Sequence, residues 1–252
     1  MIGVSTIALF DKDLDAALSE IEEFAGFAEI FSEGKHDIVA DFKKNPNIDC
    51  LFSHNLSYSV HAPTQDVNLA SLREKVRLTG LDVILESAHV CQEIDAGTLV
   101  IHPGYMPLKS DGFFEKSKAA LLQSLRRLSE IQEETGVQIC VENMPDVDFY
   151  LFRRPEEIDL DAFDLPFALD IGHAHTTKTL DEFLNRRVDH YHIHDNDGKS
   201  DSHLAFGDGN IGETVLDQII QKSKKENATL IAECKKIEDA EKTFKILGSK
   251  IK

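Results

Sequence analysis

The most constraining feature of the 252-residue chain is an eightfold alternation of short apolar runs with longer segments of helical or turn character. Candidate strands cover residues 2–9, 27–32, 58–62, 98–103, 138–143, 167–172, 190–195 and 229–234. Most are rich in Val, Ile, Leu or Phe, which suits parallel strands buried on both faces. The segments between them carry helical periodicity. In 114–134, Leu121, Leu125 and Leu128 recur on one face with charges opposite, and in 212–226 Leu216, Ile219 and Ile220 share a face. A third long helical segment spans 71–95, and Asp11 or Asp13 is placed to cap the helix after strand one. Eight strands joined by crossovers of this size predict an α/β chain, a single-domain (β/α)8 TIM barrel over residues 1–252. The alternative is a doubly wound open sheet. It usually has a Gly-rich turn after strand one, and Phe10-Asp11-Lys12-Asp13 offers none.

Composition agrees with one such barrel. With 42% hydrophobic and 29% charged residues the chain has an ordinary globular balance. A chain of this length buries roughly 70–75% of its unfolded surface, so it needs no disulfide staples. Cys50, Cys91, Cys140 and Cys234 are scattered, with no CxxC pair, and read as buried thiols of a reducing cytoplasm. The first residues lack a basic n-region and meet Asp11 too soon for a signal peptide. No apolar run reaches the length of a membrane span. The expectation is a cytoplasmic chain without a membrane segment.

Charge bears on partners. Against 45 acidic residues there are 27 basic ones, a net −18, and such a field repels nucleic-acid phosphate unless cations gather on one face. Lysines cluster at Lys43-Lys44, Lys222-Lys224-Lys225 and Lys235-Lys236, and these read as solvated helix or loop faces.

The chemistry lies at the strand ends. His61 precedes Ala62-Pro63, His102 precedes Pro103-Gly104, and Glu142 precedes Asn143-Met144-Pro145. Asp170 leads Ile171-Gly172-His173, strand seven reads His190-Tyr191-His192-Ile193-His194-Asp195, and strand eight ends in Glu233. In a TIM barrel that end of every strand faces the active site. Alternation turns Cys140 and Glu142, Ala168 and Asp170, and His190, His192 and His194 inward. Ile139, Val141, Leu169, Ile171, Tyr191 and Ile193 then face the helices. One strand-end histidine is commonly a satisfied structural residue; six coordinated positions predict a metal site. Farther on, Asp201-Ser202-His203 can chelate from an extended loop. Gly207-Asp208-Gly209 reads as a backbone turn into the last crossover helix, with a phosphate cradle as the alternative.

Together the motifs HAP (61–63), HPG (102–104), VEN (141–143), DIGHA (170–174), HIHD (192–195) and DSH (201–203), with Glu233, resemble the xylose isomerase-like TIM barrels. That group includes sugar (phosphate) isomerase/epimerases and endonuclease IV-type AP endonucleases. The resemblance implies a central metal site of Glu142, Asp170, His192 and Glu233. It further implies a second ion on His61 and His102 with bridging Glu142, and a third on His173, Asp201 and His203. Donors of this kind without thiolate suit Zn²⁺ or Mn²⁺, with one to three ions per chain.

Two enzymatic readings follow. The first is a metal-dependent isomerase or epimerase of a sugar, sugar phosphate or related polyol. Glu142 and Glu233 are then the catalytic carboxylates that remove and return a proton beside a polarised carbonyl. The second is a multinuclear phosphodiesterase of the AP-endonuclease kind. Charge and the short loops at 10–13 and 33–36 favour a small carbohydrate-like substrate over nucleic acid. Three divalent ions carry +6 and move −18 only to −12. A structural or regulatory metal barrel is the third reading, and structural zinc sites usually close their shell with cysteine. His36, His54 and His89 lie away from the strand ends and are expected to tolerate substitution.

Overall fold

The structure is a computed structural model that describes residues 1–40, 44–108, 110 and 112–251. Lys43, part of the first lysine pair, lies outside the described residues. The eight expected strands are all present and parallel. They are β1 (Ile2–Ser5), β2 (Phe27–Phe31), β3 (Ser57–His61), β4 (Thr98–Ile101), β5 (Gln138–Glu142), β6 (Phe167–Asp170), β7 (His190–Ile193) and β8 (Thr229–Ala232). They follow one another around a closed ring in which β8 pairs with β1, so the sheet is a (β/α)8 TIM barrel and not an open sheet. Around it lie α1 (Leu14–Glu22), α2 (Pro46–Leu51), α3 (Glu74–Glu93), α4 (Phe113–Thr135), α5 (Ile171–Thr177), α6 (Leu180–Phe183), α7 (Glu213–Glu226) and α8 (Ile237–Ile251).

The side-chain alternation sorts the core into two parts. Val100, Cys140 and Ala168 pack together inside the barrel, whereas Ile139, Val141, Leu169, Tyr191 and Ile193 join the layer beneath the helices. In α4 the predicted face buries Leu121, Leu125 and Leu128 together with Ile131. Each such side chain contributes roughly 1.5–3 kcal/mol by leaving water. The helix stops at Gly136, whose left-handed backbone (φ 71°) lets its N–H reach the Gln132 carbonyl at 2.8 Å. At the start of α1 the cap is Asp13, which accepts the Ala16 N–H at 2.9 Å.

Most strands end a residue or more short of the sequence reading, and three differences from it have a clear local reason. β1 ends at Ser5 and passes into a 3₁₀ turn over Thr6–Leu9, because the Ser5 hydroxyl accepts the Ile7 N–H and Thr6 accepts the Phe31 N–H. β6 ends at Asp170, whose carboxylate accepts the His173 N–H at 2.6 Å and starts α5 on the spot. The connection after β2 is longer than the turn expected at 33–36, since α2 begins only at Pro46. Asp37, Asn45 and Asn47 hold this connection through hydrogen bonds to its backbone.

The remaining expectations divide. Cys91, Cys140 and Cys234 are buried and Cys50 half-buried, all as free thiols. Lys224, Lys225, Lys235 and Lys236 are exposed. Among the described residues no helix is long and apolar enough to cross a membrane. His89 is exposed, but His36 is fully buried against Phe10, and His54 contacts Glu22 at 2.9 Å and Asp15 at 3.2 Å. Replacing His36 opens a cavity and replacing His54 strands carboxylates, so neither position tolerates substitution as expected.

Candidate metal centre

Strand register delivers the site. In the ladder His61 stands beside Val100, Glu142 beside Ala168, Asp170 beside His192, and Ile193 beside Ala232, so the polar ends meet at one mouth of the barrel. The nine side chains singled out in the sequence fall into three groups, each with its donor atoms within 4.8 Å of one another. Glu142, Asp170, His192 and Glu233 form the central group, and all four are buried. His192 Nδ1 lies 2.8 Å from Glu142 and 3.2 Å from Glu233. His61 and His102 approach the other oxygen of Glu142 at 3.3 and 3.0 Å, so that one carboxylate bridges two groups.

The outer group contains His173, Asp201 and His203, and also His194, which the sequence reading left out. His173 donates from Nδ1 to the Asn143 carbonyl and His203 from Nδ1 to the Glu233 carbonyl, both at 2.8 Å. A backbone acceptor at Nδ1 fixes the tautomer and leaves Nε2 as the donor atom facing Asp201, at 3.3 and 2.9 Å respectively. His194 reaches both oxygens of Asp170 at 3.0 Å and stacks on His203 with ring centroids 3.9 Å apart. Its place requires Gly172, because a Cβ there would collide with the imidazole.

Acidity follows from crowding. Burial opposes the charge on Glu142, but His192, His102 and His61 hold it well below the usual carboxylate range. For Glu233 burial prevails: with Glu142 and Asp170 as like charges it is raised, despite His192 and His203. Asp170 is lowered against its burial by His173 and His194. Burial would lower His203, yet Asp201 beside it brings the ring up to about 9. Three carboxylates packed together out of water call for positive charge. The oxygen and nitrogen donors present, together with a buried Asp201 oxygen that has no hydrogen-bond partner among the described residues, fit a divalent ion.

Sequence reasoning missed what lies beneath this mouth. Glu29, in the middle of β2, is fully buried inside the barrel and touches His190 and His192 at 2.8 Å each. A charged residue between Ala28 and Ile30 was the available signal. The Gly207-Asp208-Gly209 segment is a turn and not a phosphate cradle, because Asp195 already fills it, accepting the N–H groups of Asn196, Gly207 and Ile211. A cavity of about 570 Å³ between α5, α6 and the start of α7 contains none of the nine donors.

Comparison with known proteins assigns the architecture. Residues 19–249 match the family model described as xylose isomerase-like TIM barrel. The chain belongs to that family. An uncharacterized protein of Methanocaldococcus jannaschii is 41% identical over 216 residues, covering 83% of each chain. A Mycobacterium tuberculosis protein named "Probable endonuclease 4" is 25% identical over 206 residues, 71% of this chain and 79% of the relative. Among solved structures, a D-tagatose 3-epimerase-like protein superposes with a TM-score of 0.87 at 30% identity, covering 99% of this chain and 96% of that one. A zinc-soaked protein of Thermus thermophilus shares the fold at a TM-score of 0.77 and 20% identity, over 98% and 96% of the two chains.

Proposed function

We propose that this chain is a divalent-metal-dependent isomerase or epimerase acting on a sugar, sugar phosphate or related polyol. The observation that carries the reading is the pair Glu142 and Glu233, buried carboxyl groups from β5 and the end of β8 that converge on His192 Nδ1 with opposite acidity. Moving a proton off a carbon and back needs one group that stays ionised and one that keeps its proton readily. Glu142, Asp170, His192 and Glu233 are the residues to hold a Zn²⁺ or Mn²⁺ ion. When bound, that ion supplies Lewis-acid polarisation of a carbonyl and acidifies the neighbouring C–H. One carboxylate oxygen then takes the proton from carbon while the electron pair shifts toward the carbonyl oxygen. The other carboxyl group returns a proton to carbon. At the rim, half-buried Tyr105 and Tyr150 flank the exposed Phe149, their ring centroids 6.2 and 4.7 Å from its own. Burial, with Asp201 and Glu142 nearby, raises the Tyr150 phenol, which keeps it a hydrogen-bond donor.

The net −18 charge and the likeness to a D-tagatose 3-epimerase-like protein support a small ketose over nucleic acid. Free thiols throughout fit a cytoplasmic setting. A second reading, multinuclear phosphodiester hydrolysis, is favoured by the complete His61–His102–Glu142 and His173–Asp201–His203 groups. The test is solvent deuterium exchange at the carbon beside the carbonyl of D-tagatose and D-fructose with Zn²⁺ or Mn²⁺, alongside nicking of duplex DNA carrying an abasic site. Exchange without nicking is expected. Nicking without exchange on any ketose tried overturns the isomerase reading.

A further inference from the structure

Below the mouth of the barrel, where a TIM barrel normally stacks branched apolar side chains, this chain buries a polar layer. Glu29 from β2 meets His190 and His192 from β7 and Ser59 from β3, and all four are 0% exposed. One oxygen of Glu29 lies 2.8 Å from His192 Nε2. The other lies 2.8 Å from His190 Nε2 and accepts the Ser59 hydroxyl at 2.9 Å. The two ring N–H groups are not aligned with these oxygens, but neither nitrogen has another hydrogen-bond partner among the described residues. The distance decides the pairing, since a small ring rotation brings each N–H into line.

We propose that Glu29 is the positioning residue of the metal centre: it holds His192 with its proton on Nε2 and so keeps Nδ1 free to donate to the central ion. His192 is reached from both sides, with Glu142 and Glu233 above its Nδ1 and Glu29 below its Nε2. A neutral imidazole carries one proton. Carboxylates face both edges, and Nδ1 lies 2.8 Å from Glu142; with an ion bound at that edge the single proton belongs at Nε2 against Glu29, and the lone pair faces the ion. His190 and Ser59 complete the device by holding the second Glu29 oxygen, so the carboxylate cannot swing toward the mouth and become a ligand itself. The inference rests on the metal-centre part of the function proposed above and is indifferent to whether the reaction is isomerisation or hydrolysis.

The experiment measures Zn²⁺ affinity by competition with a chromophoric chelator, without substrate, in a His102→Ala/His203→Ala background so that the central group alone titrates. Glu29→Gln, which leaves one acceptor for two histidines, is expected to weaken binding about 10- to 100-fold, the usual effect of losing an outer partner of a metal-bound histidine. Ser59→Ala, a milder change that serves if Glu29→Gln folds poorly, is expected to weaken it a few-fold. In ¹⁵N-histidine spectra of the zinc-loaded protein, His192 is expected as the Nε2–H tautomer. Unchanged affinity in both variants, or an Nδ1–H tautomer, overturns the role of Glu29 while leaving the metal centre intact. Equal losses of thermal midpoint with and without zinc in Glu29→Gln also overturn it, because that pattern marks structural support alone. A background protein that takes up no zinc overturns both the centre and this role.

Discussion

The central and outer donor groups are built by different parts of the chain. Glu142, Asp170 and His192 lie within strands and Glu233 one residue beyond β8, so the closed ladder alone sets where they stand. Asp201 and His203 hang on a loop. The Asp201 side chain is 26% exposed, and His203 holds a left-handed backbone at φ 51°, a conformation costing roughly 1–2 kcal/mol for a residue with a Cβ. That strain is offset by the bond from His203 Nδ1 to the Glu233 carbonyl and by Asp195, which gathers the loop on its carboxylate. A barrel thus brings its central candidate donors together as a by-product of folding, whereas the outer ones need dedicated turn chemistry. The central group should consequently tolerate loop changes that the outer group does not.

Glu142 offers the most severe way to break this comparison, since it belongs to the central group and bridges to His61 and His102. Glu142→Gln should lower turnover by about 10²–10⁴-fold, the range for losing a proton-transfer group, and reduce metal stoichiometry by elemental analysis. Glu233→Gln should lower turnover comparably while sparing the His61–His102 group. Near-normal turnover in either variant removes that residue from the reaction.

Metal removal comes next. An ion held at 100 times its dissociation constant stabilises the fold by about 2.7 kcal/mol. For a chain of this size that shifts the thermal midpoint by roughly 5–10 °C. Calorimetry before and after chelation should show such a drop with the barrel still folded, because its core does not depend on the ion. An unchanged midpoint after verified removal contradicts the coupling.

Outer-group variants should do less. His203→Ala relieves the backbone strain only in part and leaves the four central ligands in place. We expect central zinc affinity within about threefold of the unaltered protein, well short of the 10- to 100-fold effect of losing a direct orienting partner. If His203→Ala instead removes activity as completely as Glu233→Gln, the outer ion takes part in the chemistry and the hydrolase reading gains.

The same division explains what the sequence disclosed. Strands buried on both faces leave apolar runs that stand out, so all eight were found. Their ends were overrun where a side chain bonds the backbone and turns it early, as Ser5 and Asp170 do. The nine candidate donors, which the structure groups at one mouth, are legible because each sits beside a turn signal or in a motif. Glu29 escapes a sequence reading of the centre because it lies in mid-strand, and His190 because it opens β7 at the end away from the mouth; both gain meaning only once the ring closes and brings β2 and β7 together. His194 was read as inward-facing, but its bond to Asp170 depends on the first turn of α5 and on Gly172.

The smallest expected effect is a pH dependence that separates the two groups. In the metal-free protein His203 is raised from 6.5 to about 9, so its protonated form stabilises the fold. That contribution is fully present below pH 6.5 and is lost as pH rises through about 9. His173 and His192 are raised as well and act in the same direction. Glu142 and Asp170 are lowered, so their contribution is present above their ordinary values of 4.5 and 3.8 and disappears on acidification. The metal-free midpoint should therefore be highest at mildly acidic pH and decline toward pH 9. Zinc binding displaces protons from the same imidazoles, so its stabilisation grows with pH and the gap between loaded and metal-free midpoints widens over that window. In metal-free His203→Ala the alkaline decline should become shallower without vanishing, because His192 in the central group still titrates. A metal-free midpoint that stays flat from pH 6.5 to 9 shows that the histidines are not held protonated by their carboxylates. A decline abolished by His203→Ala alone places the whole effect on the loop and none on the strands.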